Sequence, residues 1–257
     1  MRFAATNSIN CSISRAKESR DCTPRNSQPV AVSPARPQAE RLVLATANEG
    51  KRREFEALLA DLPFEVMTQA SLGVPSAEET GSSFLDNALL KARHVQAHMH
   101  RHASPHEQRE LQGRVPGASS WAVLADDSGL EVDALGGAPG IYSARYAGPR
   151  ADDAANNAKL IEALRGVSAP RRTARYRCVL VFLAADRERP PLIAEGVWEG
   201  RILEAPRGAG GFGYDPYFFL PDRGVSAAEL DPAEKNRLSH RGVALRELRR
   251  QLAPRFA

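Results

Sequence analysis

The stretch RLVLATANEGKRREFEALLA, Arg41 to Ala60, joins two kinds of segment at one loop. Arg41–Thr46 reads as a short buried strand, because apolar residues run together there without polar alternation. From Lys51 the pattern changes, and Phe55, Leu58 and Leu59 recur at the spacing of one helical face. A strand passing within a few residues into a helix is the repeating unit of α/β architecture. The alternation continues down the chain. WAVLAD (Trp121–Asp126), ARYRCVLVFLA (Ala174–Ala184) and PLIAEGVWEGRI (Pro191–Ile202) read as strands. Ser83 is placed to cap a helix with Asp86 at its third position, and Asn87 and Lys91 lie four apart on one face of it. Asp231-Pro232-Ala233-Glu234 is a helix start, and Leu245, Leu248 and Leu252 make the apolar stripe of the last helix. The expected fold is α/β, a central twisted sheet of mostly mixed pairing flanked by helices.

At the first strand-to-helix junction stands ATANEGK, Ala45–Lys51. Such a loop presents backbone N–H groups at a helix N-terminus, which favours anions, and Lys51 adds a positive charge. It is not a P-loop. That pattern needs Gly where this chain has Ala45, and Ser or Thr where it has Arg52. A plain turn with a solvated lysine is the alternative.

A second stretch, LADDSGLEVDALGGAPGIYSARYAG (Leu124–Gly148), sets two adjacent carboxylates, Asp126 and Asp127, at the end of an apolar run. Buried carboxylates are costly unless something cationic meets them, either a lysine or arginine or a metal. Ser128-Gly129 is read as a sharp turn after the strand. GGFGYDP (Gly210–Pro216) combines glycines, which free the backbone to approach a ligand, with Phe212 and Tyr214, which suit stacking on a base. A tight turn with core aromatics is the alternative there. EKNRLSHR (Glu234–Arg241) puts Lys235, His240 and Arg241 near two helix starts, as donors for an acceptor-rich ligand or as a solvated basic face.

Composition bounds the class. The chain has 257 residues, of which 42% are hydrophobic and 26% charged, as in an ordinary soluble globular protein. The longest apolar run, Cys178–Ala185, is far too short to span a bilayer. Three cysteines make no disulfide framework, which fits a reducing compartment. The net charge of +4 permits a polyanionic ligand or nucleic acid, and equally a bland solvated surface. Met1–Glu40 is rich in Ser, Arg, Pro and Asn without periodicity and reads as a disordered extension ahead of a domain at 41–257. About 95–120 reads as a surface insertion. Five of the six histidines fall at His94, His98, His100, His102 and His106. The alternation of His98, His100 and His102 would suit a metal on a strand, although adventitious binding is the simpler reading.

TANEGK, SAEETGSSFLDNALLKA, LADDSGLEVDALGGAPGIYSARYAG, GGFGYDP and AEKNRLSHRG, in that order, resemble the inosine triphosphate pyrophosphatase family over Arg41 to about Leu252. The resemblance implies a single domain of two lobes with the active site in the cleft between them. It implies hydrolysis of ITP, dITP and XTP to the monophosphate and pyrophosphate with Mg2+, which removes non-standard purines from the nucleotide pool. It further implies a homodimer in the cytoplasm, with the nucleotide as partner and no role for nucleic acid or membrane. Residue by residue, it assigns Thr46, Ala47, Asn48, Glu49, Gly50 and Lys51, with Lys91, to the triphosphate. Asp127 is the acid–base residue and a magnesium ligand, with Asp126 beside it. A glutamate of AEE, Glu79 ahead of Glu78, is the other metal-side carboxylate. Ser128 touches substrate, Phe212, Gly213, Tyr214 and Asp215 frame the base, and Lys235, His240 and Arg241 complete the pocket. Ala47 stands where the family usually has Gly. Under this reading Arg241, a donor only, meets the C6 carbonyl of the base and rejects the amino group of adenine. The rivals are a Maf-like nucleotide pyrophosphatase, which lacks the combined DDSGL and SHRG, and a basic nucleic-acid-binding protein.

Overall fold

The computed structural model describes residues 40–102, 105, 108, 109 and 121–255. The extension read over Met1–Glu40 lies outside these residues but for the backbone of Glu40, and so does His106. Strand β1 (Glu40–Ala45) leads into helix α1 (Glu49–Leu59) and strand β2 (Phe64–Thr68). Helix α2 (Phe84–His102) and strand β3 (Trp121–Val132) follow, then helix α3 (Asp153–Ala163). Strands β4 (Thr173–Leu183) and β5 (Leu192–Ile202) are long, while β6 (Phe218–Leu220) and β7 (Val225–Ser226) are short. Helices α4 (Pro232–Leu238) and α5 (His240–Leu252) close the chain.

The strands form one sheet of seven in the order β2-β1-β3-β4-β5-β6-β7. β1 runs parallel to β2 and β3, and every later pairing is antiparallel, so the sheet is mixed. Its inner strands are apolar on both sides because helices cover both. Leu42, Leu44, Leu124 and Leu180 face α1 and α5, packing on Phe55, Leu59, Leu245, Leu248 and Leu252. Val43, Ala45, Val123 and Val181 face α2 and meet Ala88, Ala92 and Val95. A third cluster, with Leu130, Tyr176, Trp198 and Phe218, holds the β4–β6 end against Leu160 of α3 and Leu164, which caps it. Each fully buried Leu or Phe contributes about 1.5–3 kcal/mol. The described residues form one compact unit.

Two expectations are corrected. β3 does not stop at Asp126. It pairs with β4 from Val123↔Leu183 to Val132↔Ala174, so Asp126 and Asp127 lie within the strand and Ser128-Gly129 makes no turn. Gly129 is required for close approach instead. A Cβ there would stand 2.4 Å from the Gly140 carbonyl oxygen and 2.5 Å from Ser143 Oγ. Likewise α2 runs on through His102, so the first residues of the supposed insertion are helical and Val95 is core. On a helix the alternating histidines separate. His98 and His102 come one turn apart, their ring centroids 4.3 Å from each other, and His100 does not share their face. Among the described residues no three His, Cys, Asp or Glu are grouped to hold a metal, and no helix is long and apolar enough to cross a membrane.

Candidate active site

The sheet itself creates the site. β1 pairs with β3 only as far as Ala45↔Ala125, and there the chain leaves the sheet for the loop into α1. In open sheets the ends of parallel strands, followed by a helix N-terminus, are where ligands bind. Asn48 caps α1, its side chain accepting from Lys51 N at 3.0 Å, and its own N–H donates to Thr46 Oγ1 at 3.2 Å. The loop is thus fixed, and the first helical N–H groups, Glu49 and Gly50, have no acceptor within the helix. Gly50 is needed because a Cβ there would press within 2.8 Å of the Phe212 ring.

Asp126 and Asp127 occupy consecutive positions of one strand and so face opposite sides of the sheet. Asp126, almost wholly buried, receives Lys51 Nζ at 2.7 Å, Ser128 Oγ at 3.2 Å and Cys178 Sγ at 3.1 Å, with Arg241 Nε at 3.9 Å. Burial alone would raise its pKa, but Lys51, Arg241 and Lys91 prevail and hold the carboxyl far below its usual range. On the other side Asp127 receives Lys91 Nζ at 2.8 Å and Asn87 Nδ2 at 3.3 Å. Here burial prevails over Lys91 and Lys51, and the pKa rises. The same Lys91 Nζ reaches Glu79 Oε1 at 3.0 Å, and Arg145 Nη1 reaches Glu79 Oε2 at 2.6 Å. Glu79 is held below its usual pKa because Lys91 and Arg145 outweigh its burial. Neighbouring carboxylates whose environments push their pKa values apart are suited to different tasks: Asp126 stays charged and Asp127 is the one able to take up a proton.

A cavity of about 260 Å3 runs from Asn48 and Lys51 past Ser128 and Gly129 to Tyr176, Phe212, His240 and Arg241. Its far wall is a buried ion network. Lys235 Nζ bonds Asp215 Oδ2 at 2.5 Å and Glu54 Oε1 at 2.7 Å, while Arg241 Nη1 takes Glu54 Oε2 at 2.7 Å and Nη2 takes Ser128 Oγ at 2.8 Å. Phe212 lies under both cations, with Lys235 Nζ and Arg241 Cζ at 5.0 and 5.4 Å from its ring centroid. The His240 ring stacks on Tyr176 with centroids 4.7 Å apart and planes 9° off parallel. Both of its ring nitrogens are buried without a hydrogen-bond partner among the described residues, and burial, aided by Arg241, drives its pKa well down, so the ring is neutral.

The residues named from sequence fall into three places. Thr46, Ala47 and Asn48 form the loop at the end of β1 and Gly50 and Lys51 the first turn of α1, while Glu49 turns to solvent and pairs with Arg52. Asp127, Glu79 and Lys91 meet on the α2 side, and Glu78 stays exposed. Ser128, Phe212, Gly213, Tyr214, Asp215, His240 and Arg241 line the cavity, with Lys235 behind Phe212. The Tyr214 hydroxyl is engaged, donating to the Ser143 carbonyl at 2.8 Å. Sequence reasoning passed over Glu54, Arg145 and Tyr176. Glu54 had a signal: three residues after Lys51, it shares that helix face.

Buried carboxylates with their lysines at the end of a parallel strand, beside a helix N-terminus and an aromatic cavity, define an α/β protein with a site suited to an anionic small molecule. Residues 42–251 match the Ham1 family, and the chain belongs to it. It is 53% identical over 204 residues to a dITP/XTP pyrophosphatase of Methylococcus capsulatus, covering 79% of this chain and 92% of that one. It is 52% identical to a dITP/XTP pyrophosphatase of Xanthomonas campestris, covering 83% of this chain and 97% of that one. A solved HAM1 protein from Coxiella burnetii has the same fold, with a TM-score of 0.69 at 41% identity over 84% of this chain and 99% of that one.

Proposed function

We propose that this chain hydrolyses dITP, ITP and XTP to the monophosphate and pyrophosphate. One observation carries the reading: the carboxylate of Asp127, which we take as the acid–base group, and the aromatic cavity adjoin along a single strand, through Ser128 and Gly129. The cavity is close to the lower limit of small-ligand pockets, about 300 Å3. It suits a base and ribose, with the triphosphate at the mouth along Lys51 and the first turn of α1. The cleft would then divide two lobes, the β1–β3 half of the sheet with α1 and α2, and the β4–β7 half with α3 and α4.

The donor set fits magnesium. Asp127 and Glu79 come from different elements yet bond one and the same ammonium, so their oxygens converge within the reach of a single cation. Magnesium takes one or two carboxylates together with substrate phosphates. When bound, it would neutralise charge on the phosphate oxygens and lower the pKa of a bound water. Asp127 accepts the proton of the water that attacks the α-phosphorus, and Asn87 fixes the orientation of its carboxylate. Lys51 and Lys91 leave their carboxylates for the phosphates and stabilise the departing pyrophosphate. Phe212 covers the base, and His240 and Arg241 present polar atoms to its edge. A homodimer is the assembly that the family resemblance implies, and sedimentation giving only monomer at micromolar concentration would refute that. The activity is tested by pyrophosphate release from dITP, ITP, XTP, GTP and ATP with Mg2+. Release confined to the first three is expected. No release, or equal release from ATP, would overturn the reading.

A further inference from the structure

Around Asp127 the charges cancel. Asp127 and Glu79 face Lys91 and Arg145, two acids against two bases. The opposite side is equally balanced, with Glu54, Asp126 and Asp215 against Lys51, Lys235 and Arg241. Neither side of the free protein therefore holds surplus positive charge for a polyphosphate. A divalent cation taken up by Asp127 and Glu79 would change that, because it leaves Lys91 and Arg145 without their carboxylates. Lys91 is a compact ammonium, mostly buried. Arg145 is a planar fork, its side chain 30% exposed, and among the described residues its one carboxylate contact is Glu79. Its guanidinium also lies over the face of Tyr142, with Cζ 5.3 Å from the ring centroid. Guanidinium geometry matches phosphate oxygens better than an ammonium does.

The backbone on which Arg145 stands is pinned on both sides, while its side chain is 30% exposed. It ends the short 3-10 helix Gly140–Arg145. Ser143 of that turn accepts from Leu130 N at 2.8 Å and donates to the Gly140 carbonyl at 2.6 Å, fastening the turn to β3. Asn156 of α3 then clasps the far side, donating to the Ala144 carbonyl at 3.2 Å and accepting from Ala147 N at 2.8 Å. A plain rim ion pair would need no such support.

We propose that Arg145 exchanges partners: it holds Glu79 in the free protein and binds oxygens of the pyrophosphate portion of the ligand once Glu79 turns to a divalent cation. This rests on the pyrophosphatase reading above. The test is calorimetric binding of inorganic pyrophosphate and, separately, of inosine monophosphate, both with Mg2+ and without turnover. Arg145→Gln is expected to weaken pyrophosphate about tenfold and leave inosine monophosphate within about twofold of the unsubstituted protein. Without nucleotide, the same variant should bind Mn2+ a few-fold more tightly by electron paramagnetic resonance, since Glu79 has lost its competitor. Pyrophosphate affinity unchanged within twofold would overturn the proposal. Should both ligands weaken together through misfolding, Arg145→Lys and Arg145→Met are compared at equal inosine monophosphate affinity. Tighter pyrophosphate binding by the Lys variant supports the exchange, and equal binding overturns it. If the unsubstituted protein binds neither ligand, it is the pyrophosphatase reading that fails.

Discussion

Asp126 and Asp127 are neighbours in sequence yet serve opposite faces of the sheet, Asp126 meeting Lys51 at 2.7 Å and Asp127 meeting Lys91 at 2.8 Å. The two carboxylates should therefore fail differently. Asp127→Asn keeps the shape but takes up no proton, so kcat should fall at least about 10²-fold, the lower end for loss of a general base. Its melting temperature should stay within a few degrees. Asp126→Asn leaves Lys51 and Arg241 short of a buried counter-charge and should cost about 3–5 kcal/mol of stability. Thermal melts and single-turnover rates on both variants separate the roles. A catalytically dead, fully stable Asp126→Asn would exchange them.

Glu54 is the next test of the buried network. It joins Lys235 and Arg241, and neither has another acidic partner as close except Asp215 for Lys235. Glu54→Gln removes the charge between two buried cations, and a loss of about 3–5 kcal/mol is expected. The Phe212 ring, which rests against both cations, should lose its fixed position, so KM should rise more than kcat falls. A denaturation midpoint equal to that of the unsubstituted protein would show the network to be dispensable.

The local parts of this arrangement were legible in the sequence. β1, its loop and α1 follow from an apolar run, an Asn cap and a one-face helical stripe, each spanning only a few residues. The paired acids announced a need for cations. What escaped depended on distance along the chain. Nothing near Glu54 says that Arg241, 187 positions on, will lie beside it. The extent of β3 past Gly129 is set by its ladder with β4, whereas Ser-Gly read locally is a turn. The end of α2 escaped because His, Arg and Gln crowd the helical pattern, although Val95 is buried and Met99 packs on the core. The turn that holds Arg145 likewise depends on Ser143 reaching β3 and Asn156 reaching back from α3.

The buried His240 gives stability a pH dependence whose sign is fixed. Its folded pKa lies well below the ordinary 6.5, chiefly through burial. Below that value the unfolded chain binds a proton that the folded one refuses, so stability rises with pH up to about 6.5 and is lost as pH falls. The slope from this group should approach about 1.4 kcal/mol per pH unit between roughly pH 5 and 6. Asp126, with its lowered pKa, adds a loss of the same sign only at more acid pH. Urea denaturation of the unsubstituted protein and of His240→Phe from pH 5 to 7.5 isolates the histidine. The variant should show a shallower slope, and parallel curves would mean that His240 titrates normally.

The same residue bears on base selection. His240 lines the cavity with two ring nitrogens that have no hydrogen-bond partner among the described residues, and Tyr176 stacked on its face fixes the ring plane. A neutral imidazole has one donor nitrogen and one acceptor. Hypoxanthine and xanthine bring a carbonyl oxygen at C6, where adenine brings an amino donor. Arg241, the residue expected from sequence to read that position, bonds Glu54 and Ser128 through its terminal nitrogens, and among the described residues its Nε has no hydrogen-bond partner. If His240 donates to the carbonyl, His240→Phe keeps the stack and loses the donor. The kcat/KM for dITP should then fall about tenfold or more, and the gap between dITP and ATP should shrink by roughly 1–3 kcal/mol. Because the ratio of the two values cancels any common loss through folding, it reports selectivity alone. A ratio that stays fixed while both rates fall would pass the role back to Arg241, whose Nε is the remaining buried donor without a partner at the cavity wall.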